Sequence, residues 1–312
     1  MTINEIKERF LDVFDDVGIL SAKQYNDGAK LRNANQIDNE NQTLFVLAYA
    51  YPKRIIGHTH EKLSPSFYTF GSDYHLVMKQ KIQTICDELP FPTTYGVDNH
   101  PLDERLMAEL SGLGFLGKNQ LIIHPKLGSY FFLGYVLIDI QPMIYDQHIL
   151  LDSCKTCRKC LDACPTNAIT ETGYTKEACI SFFNQEKTTL SDQQIHANYQ
   201  LFGCDICQLA CPKNIGKGKI IHPEFELSGK EQVRIHDLFH LSQKAFNQKY
   251  QNMAYLWKGK TILMRNAAAV LYRQNNQDYL KEISDSLSRF TMPWYQETIQ
   301  RILQLFQIKN NS

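Results

Sequence analysis

The sequence lacks the features that would place the chain in a membrane or outside the cell. No apolar run approaches the ~18 residues of a membrane-spanning helix. The first residues, Met1 to Arg9, contain neither an apolar signal core nor a twin-arginine motif. We therefore expect a cytoplasmic protein with no membrane partner, in which reduced thiols are favoured over disulfide bonds.

The chain also has no net charge, because 33 lysine and arginine residues balance 33 aspartate and glutamate residues. An overall positive charge, which is typical of proteins that bind nucleic acids, is therefore missing. The distribution is uneven, however: residues 213–273 contain eleven basic and four acidic residues, a local excess of 7. This stretch predicts either a phosphate-binding surface or an ordinary solvated helical face.

Cysteine is concentrated in one segment, since eight of the nine cysteines lie between Cys154 and Cys211. The first four have the spacing C-x-x-C-x-x-C-x-x-x-C-P, which is typical of bacterial ferredoxins with 4Fe-4S clusters. In this pattern three cysteines bind one cluster, and the fourth, here Cys164, binds a second. The remaining cysteine, Cys86, falls on the apolar stripe of a predicted helix and is interpreted as a core residue.

The second cysteine run is incomplete, because Leu201 occupies the position of its first cysteine. Cys179 is the unassigned cysteine of the segment and is given the vacant position. The pattern then predicts two ligand sets: Cys154, Cys157, Cys160 and Cys211 for one cluster, and Cys164, Cys179, Cys204 and Cys207 for the other. Zinc is the alternative metal, although zinc sites favour paired C-x-x-C units without a third cysteine at the same step.

Hydrophobic periodicity predicts a mixed α/β region followed by a helical one. A capping box at Thr2 begins a helix that is expected to continue to Gly18, and residues 21–42 are predicted to be a loop. The further predictions are a buried strand at 43–51, a helix from Ser72, a strand at 94–97, a helix after Pro101, strands at 120–124 and 130–140, and helices at 261–273, 276–289 and 293–307.

These elements predict an α+β protein with three domains. Residues 1–150 form a mixed α/β domain, residues 151–222 a ferredoxin-like two-cluster module, and residues 223–312 an α-helical region like a short helical repeat. The G-x-G-x-x-G sequence at 112–117 is not interpreted as a dinucleotide site, because a predicted helix precedes it and a strand follows it.

Over residues 43–273 the sequence resembles the epoxyqueuosine reductase family. The resemblance rests on collinear motifs, together with the cysteine segments. The motifs are Leu47-Ala-Tyr-Ala-Tyr-Pro52, Gly71-Ser-Asp-Tyr-His75, Val97-Asp98, Glu104-Arg105, Gly112-Leu-Gly-Phe-Leu-Gly-Lys-Asn119, Gly128-Ser-Tyr-Phe-Phe-Leu-Gly134, His222-Pro-Glu224, Trp257-Lys-Gly-Lys260 and Arg265-Asn-Ala267. The residues after Asp98 and the short helical tail depart from the family pattern.

The resemblance implies a cobalamin-dependent oxidoreductase that reduces epoxyqueuosine to queuosine in the anticodon loop of tRNA, with electrons supplied through two 4Fe-4S clusters. It implies that Asp98 donates a proton, for which burial would have to raise its pKa. The residues alone, Asp-Asn-His-Pro, favour a turn residue at Asp98 over a catalytic one. The implied cobalamin contacts lie in the segments Lys118–Ile122 and Ser129–Leu133 and at single residues around them. The residues are Arg32, Ser66, Asp98, Lys118, Asn119, Ile122, Ser129, Leu133 and Ser181.

The resemblance also favours RNA binding as the role of the basic stretch. Lysine and arginine suit backbone phosphates, and the predicted RNA contacts are Lys213, Lys217, Lys219, Lys258, Lys260 and Arg265. The expected partners are tRNA and an electron donor such as a flavodoxin or ferredoxin system, and the protein is expected to be a monomer. The alternative functions are a corrinoid reductive dehalogenase and a ferredoxin-type electron carrier.

Overall fold

The computed structural model describes residues 1–141 and 154–310, in which helices alternate with mostly short strands. The strands are β1 Asp16–Ser21, β2 Thr43–Ala50, β3 Lys62–Leu63, β4 Thr93–Gly96, β5 Phe115–Leu116, β6 Ile122–Ile123, β7 Phe131–Ile138, β8 Ile169–Thr170, β9 Gly173–Tyr174 and β10 Val233–Arg234. The helices are α1 Ile3–Leu11, α2 Ala22–Leu31, α3 Tyr74–Cys86, α4 Glu104–Leu110, α5 Lys159–Ala163, α6 Ile180–Phe183, α7 Asp192–Ala197, α8 Ile206–Leu209, α9 Ile235–His240, α10 Gln243–Lys249, α11 Lys260–Gln274, α12 Leu280–Ser286 and α13 Pro293–Asn310. Among these described helices, none has the length and apolar character needed to cross a membrane.

The elements belong to two compact units, each assembled from separate segments of the chain. The first unit comprises Met1–Lys53, Tyr74–Arg158 and Cys211–Phe225. The second unit comprises Arg54–Asp73, Lys159–Ala210 and Glu226–Ser312. The predicted boundary between residues 150 and 151 lies outside the described residues, and the division into three consecutive domains stays a prediction.

The first unit is built around a four-stranded antiparallel sheet with the strand order β1-β2-β7-β4. Every residue of β2 is buried, as expected for an interior strand of almost wholly apolar sequence. Strand β4 pairs with β7 so that Gly96 lies opposite Tyr135. The end of β4 and the beginning of β7 therefore lie at the same edge of the sheet, and Asp98 follows β4 there.

The N-terminal region differs from the sequence-based prediction. The capping box at Thr2 forms, but α1 ends at Leu11, and the strand β1 follows it. A second capping box at Ser21 then begins α2 in the stretch predicted to be a loop. The predicted helix up to Gly18 is wrong because Val17 pairs with Leu47 in the sheet, a contact that local periodicity does not reveal.

The second unit is mainly helical, and α11 lies at its centre. Twelve of the fifteen residues of α11 are buried, and α13, α7 and α9 pack against it. The short helices α5, which contains Cys160, and α8, which contains Cys207, pack against each other in the same unit. Buried residues between 180 and 202 and those of the C-terminal helices form one hydrophobic core in this unit.

Candidate active site

A cavity of about 160 Å³ contains Asp98 at the sheet edge of the first unit. Strand β7, the segment 120–122 and the first turns of α3 and α4 supply its walls. The lining residues are Tyr74, Asp98, Glu104, Arg105, Gln120, Leu121, Ile122, Ser129, Phe131, Phe132 and Leu133. The structure therefore brings together four of the predicted cobalamin contacts, Asp98, Ile122, Ser129 and Leu133.

The carboxylate of Asp98 is held by two side chains from the beginning of α3. His75 Nε2 lies 2.9 Å from Asp98 Oδ2, and the hydroxyl of Tyr74 donates to the same oxygen at 3.2 Å. The Tyr74 ring stacks on Phe132 of β7, with the centroids 3.9 Å apart and the planes parallel. Asp98 is thus hydrogen-bonded to α3, and α3 packs against β7 through Tyr74 and Phe132.

These hydrogen bonds also determine the protonation of Asp98. The hydrogen bond from His75 is the largest cause that lowers the pKa of Asp98, and it outweighs the opposing effect of burial. The raised pKa was expected for a site covered by corrin and substrate, and it stays a prediction. About half of the side chain, 47%, is exposed, so a ligand that covers Asp98 would add desolvation in the direction that raises its pKa.

The turn that carries Asp98 is tied to a buried carboxylate. The backbone of Asp98 is left-handed, with φ at 57°, a region that aspartate tolerates better than most residues. Its N–H donates to Glu104 Oε1 at 2.9 Å, and His100 Nε2 lies 2.8 Å from the same oxygen. A side chain at Gly96 would come within 2.8 Å of the His100 ring. Glu104 and His100 thus hold the turn in place, and the Asp98 side chain lines the cavity.

The pKa of Glu104 is shifted upward, whereas that of Asp98 is shifted downward. Burial raises the pKa of Glu104, although the hydrogen bond from His100 opposes this effect. Neighbouring carboxyl groups whose pKa values are moved in opposite directions are characteristic of sites that hold a proton in a defined place. The arrangement therefore favours a chemical role for Asp98 over that of a simple turn residue.

The segment before the cavity wall offers a spare hydrogen-bond donor. Asn119 Nδ2 is buried and has no hydrogen-bond partner among the described residues. Asn119 directly precedes the segment 120–122 that lines the cavity. Buried polar atoms are normally hydrogen-bonded, and the amide groups around a corrin ring carry acceptor oxygens. The residues present therefore fit the predicted cobalamin at this wall, while Lys118 Nζ instead donates to the carbonyl of Cys157 at 3.2 Å.

Five of the nine predicted cofactor contacts do not line this cavity: Lys118 and Asn119, which are described above, and Arg32, Ser66 and Ser181. Arg32 is exposed, and its Nη2 lies 2.6 Å from Glu109 Oε2. Ser66 and Ser181 belong to the second unit. The hydroxyl of Ser66 has no exposed surface and donates to Asp205, so the contact predicted for this side chain is wrong. The roles of Arg32 and Ser181 stay predictions.

The sequence analysis did not assign several residues that surround Asp98. They are Tyr74, His75, Glu104 and Arg105. Tyr74 and His75 close one motif of the family resemblance, and Glu104 and Arg105 form another. Those motifs are the signal that could have identified them, because nothing in their own residue types points to this site.

Four of the predicted cluster ligands, Cys164, Cys179, Cys204 and Cys207, lie in the second unit. Burial raises the pKa of Cys207 well above its usual value, and the charges of Cys204 and Cys179 raise it further. Mutual repulsion of this kind arises where thiolates face one another, and bound iron would relieve it. The hydroxyl of Tyr199 donates to Cys204 Sγ at 3.4 Å, a type of contact that tunes cluster potentials.

The other cysteines agree with a reduced chain. All nine are described residues, and all are free thiols. Cys86 is buried in α3, which confirms its assignment to the core. Cys154, Cys157 and Cys211 belong to the first unit and Cys160 to the second. Their assignment to one cluster stays a prediction.

Two of the residues predicted to bind RNA are buried, and this prediction is wrong for both. Arg265 has no exposed surface and donates to the carbonyl oxygens of Phe183, Glu186 and Thr188 at 3.1, 2.7 and 2.8 Å. Lys260 is 2% exposed, and its Nζ donates to the carbonyl of Leu241 at 2.5 Å. Both cations therefore satisfy backbone carbonyls within the second unit and have no surface for phosphate.

The remaining four lysines keep some exposure. Lys213 and Lys219 are exposed, and Lys217 is partly exposed. Lys258 Nζ lies 3.5 Å from Glu186 Oε1 and 4.0 Å from the centroid of the Trp257 ring. RNA contacts by these lysines stay predictions.

Comparison with known proteins identifies the cysteine segment first. Residues 153–214 match the family model described as a 4Fe-4S double cluster binding domain. This match confirms the predicted pair of iron–sulfur clusters and favours them over zinc. It covers only the cysteine module, so it leaves the function of the whole chain to other relatives.

Relatives over most of the chain share one description. An epoxyqueuosine reductase from Bacillus subtilis is 31% identical over 305 residues, which cover 94% of this chain and 78% of the relative. One from Bacillus anthracis is 32% identical over 86% of this chain and 73% of the relative. The chain belongs to the epoxyqueuosine reductase family. It is therefore an oxidoreductase, and the alternative of a plain electron carrier is no longer supported.

Solved structures agree with this membership. An epoxyqueuosine reductase in complex with an epoxyqueuosine-modified tRNA-Tyr stem loop aligns with a TM-score of 0.79 at 25% identity and covers 97% of this chain and 98% of that chain. The enzyme from Streptococcus thermophilus has a TM-score of 0.81 over 98% of this chain and 90% of its own, at 23% identity. The predicted α+β fold class is thus confirmed.

Proposed function

We propose that the chain reduces epoxyqueuosine to queuosine in the anticodon loop of tRNA and that the reaction takes place over the Asp98 cavity. Family membership supports the reaction, and a solved relative is bound to an epoxyqueuosine-modified stem loop. The observation that carries the proposal for this chain is the Asp98 carboxylate, which is exposed in a cavity and held by His75 and Tyr74.

Cobalamin is the proposed cofactor of this site. Bound at the cavity, it would supply the low-valent metal chemistry that removes oxygen from a strained epoxide. Asn119 Nδ2 offers a free amide donor, and the apolar side chains of Ile122, Phe131 and Leu133 offer a surface for one edge of the corrin. At about 160 Å³ the cavity is smaller than the ~300–1,000 Å³ of typical ligand pockets, so it would receive only part of such a ligand.

Asp98 delivers the proton that the departing oxygen needs. Conversion of an epoxide to an alkene and water consumes two electrons and two protons. A ligand over the cavity excludes water from the exposed side of Asp98 and so favours its protonated form. His75, at 2.9 Å from the carboxylate, is the group through which the proton is replaced.

The electrons reach the site through the two 4Fe-4S clusters, because each cluster passes one electron at a time. A soluble carrier such as a flavodoxin or ferredoxin is the proposed electron donor. We place the reaction in the cytoplasm, where tRNA and reduced thiols are found, and we propose that a monomer carries it out.

The test is turnover of an epoxyqueuosine-containing stem loop by anaerobic protein loaded with iron and cobalamin. Asp98→Ala is expected to retain iron and cobalamin and to lose turnover by at least about 100-fold, the typical contribution of a positioned acid. The matched control is Asp139→Ala, which removes an exposed carboxylate of the same unit. Near-normal turnover by Asp98→Ala would refute the proton-donor role, and absence of turnover in the wild type would refute the function.

A further inference from the structure

We propose that the surface following Cys211 docks an acidic protein that carries one electron at a time. This inference rests on the proposed function, in which an external donor reduces the cluster assigned to Cys154, Cys157, Cys160 and Cys211. We name this surface the lysine–isoleucine face. It consists of Lys126, Lys213, Ile215, Lys217, Lys219 and Ile220, all of which belong to the first unit.

The face is positively charged, and its charge is not neutralised by its own segment. Between Cys211 and Pro223 the chain contains three lysines and no acidic residue. The next acidic residue, Glu224, is already engaged by Lys81 at 2.6 Å. Among the described residues, no ion pair involves any of the four lysines of the face. An acidic partner would therefore find unpaired positive charge here.

Distant parts of the chain converge on this face. Lys126 belongs to the turn before β7, yet it lines the same cavity of about 150 Å³ as Lys217, Lys219 and Ile220. Three lysines therefore line one cavity. Clefts lined by one sign of charge attract the opposite charge more strongly than scattered surface residues do.

The apolar residues of the face indicate a protein partner instead of RNA. Ile215 is 79% exposed and Ile220 is 40% exposed, and the neighbouring Ile221 is 52% exposed. Protein interfaces combine apolar contacts with a charged and polar rim. Recognition of single-stranded RNA uses stacking on aromatic rings or arginine, which isoleucine cannot provide. The interleaving of lysine and isoleucine therefore favours an acidic protein.

The fold presents this face in a fixed position next to a predicted cluster ligand. The carbonyl of Gly218 accepts a hydrogen bond from the N–H of Lys53 at 2.9 Å. Asn214 Oδ1 accepts from the N–H of Ser129 at 2.8 Å, and its Nδ2 donates to Ser129 Oγ at 2.8 Å. A side chain at Gly218, where φ is 72°, would come within 2.6 Å of Lys53. A donor seated on this segment would therefore contact residues adjacent to Cys211.

The redox step has a simple balance. In each encounter the carrier is oxidised by one electron, and the cluster at Cys154, Cys157, Cys160 and Cys211 is reduced by one electron. Two encounters supply the two electrons that, with two protons, convert the epoxide to an alkene and water. Electron-transfer complexes bury little surface, so the six residues of the lysine–isoleucine face are sufficient to dock a transient partner.

The test follows cluster bleaching in the anaerobic holoprotein by stopped-flow absorbance, with reduced flavodoxin as the acidic carrier. Lys213→Glu/Lys217→Glu is expected to slow reduction by flavodoxin about tenfold at low salt and to leave reduction by dithionite unchanged. The wild-type rate is expected to fall as ionic strength rises. The matched control is Lys79→Glu, at an exposed lysine on α3 in the same unit. Flavodoxin should reduce the clusters of this variant at the wild-type rate.

An unchanged rate with flavodoxin in the double variant would overturn the proposal. An unchanged flavodoxin rate combined with weaker binding of the RNA stem loop would assign the face to RNA. If the double variant loses iron, Lys126→Glu/Lys219→Glu replaces it, because these positions are farther from Cys211 in sequence. The flavodoxin reduction rate and the stem-loop affinity are then measured on this second variant. Turnover of the stem loop with dithionite tests the proposed function separately, because that reductant needs no docking surface.

Discussion

Substitution of Arg265 by methionine tests whether the motif Arg265-Asn-Ala267 serves the fold or binds RNA. The side chain has no exposed surface, and its guanidinium donates to the carbonyls of Phe183, Glu186 and Thr188. Methionine would fill much of the volume and leave these acceptors without their donor. The carbonyls belong to the last residue of α6 and to the segment between α6 and α7, so the substitution would loosen the region that follows Cys179.

The size of the effect follows from these contacts. A buried acceptor that loses its partner costs about 1–3 kcal/mol, so three acceptors set an upper limit of ~9 kcal/mol. Removal of the buried charge offsets part of this loss, since burial lowers the pKa of Arg265 to about 9. We therefore expect a net loss of ~3–5 kcal/mol, the range found when one partner of a buried charged pair is removed.

The assay is thermal unfolding of the anaerobic holoprotein at a fixed scan rate, together with RNA binding by the folded protein. Arg265→Met should lower Tm by roughly 10 °C and leave RNA affinity unchanged at low temperature. The control is Arg289→Met, a substitution at an exposed arginine that should change stability by less than about 0.5 kcal/mol. An unchanged Tm with weakened RNA binding would refute the structural role of Arg265.

Two further predictions concern the proton and the clusters. His75→Leu removes the hydrogen bond that contributes most to the lowered pKa of Asp98. Because the acid form is lost as pH rises through this pKa, the fall of kcat/KM should move to higher pH, and an unmoved profile would contradict proton delivery by Asp98. Cys179→Ser should reduce bound iron from about eight to about four atoms per chain. The control Cys86→Ser, at a buried core position, should retain all the iron. Equal iron contents in the two variants would contradict the ligand assignment.

The sequence was most informative where neighbouring residues determine the structure. The apolar run from Thr43 predicted the buried strand β2, and the cysteine spacing predicted the two-cluster domain that the family model matches. Four of the predicted cobalamin contacts, Asp98, Ile122, Ser129 and Leu133, line one cavity in the structure. These features share one property: each motif carries its signal within a few consecutive residues.

The sequence was least informative where a distant contact decides the outcome. Charge alone suggested that Arg265 and Lys260 face solvent, but α11 buries them because apolar residues surround them on every side of the helix. A helix that is apolar all round is typical of a protein interior, and this was the signal that could have corrected the prediction. The strand β1 was missed for a related reason, since its partner β2 begins more than twenty residues later.

The pKa of Asp98 shows why the site needs the tertiary structure for its interpretation. His75 lies 23 residues earlier in the chain, on α3, and it reverses the direction that burial alone would give. Glu104 begins α4 and has a raised pKa, because burial dominates there. The two carboxyl groups of the cavity therefore differ in the direction of their pKa shifts: that of Asp98 is lowered and that of Glu104 is raised. In the proposed reaction, Asp98 would gain its proton when a ligand covers it, so that proton delivery depends on the presence of the substrate.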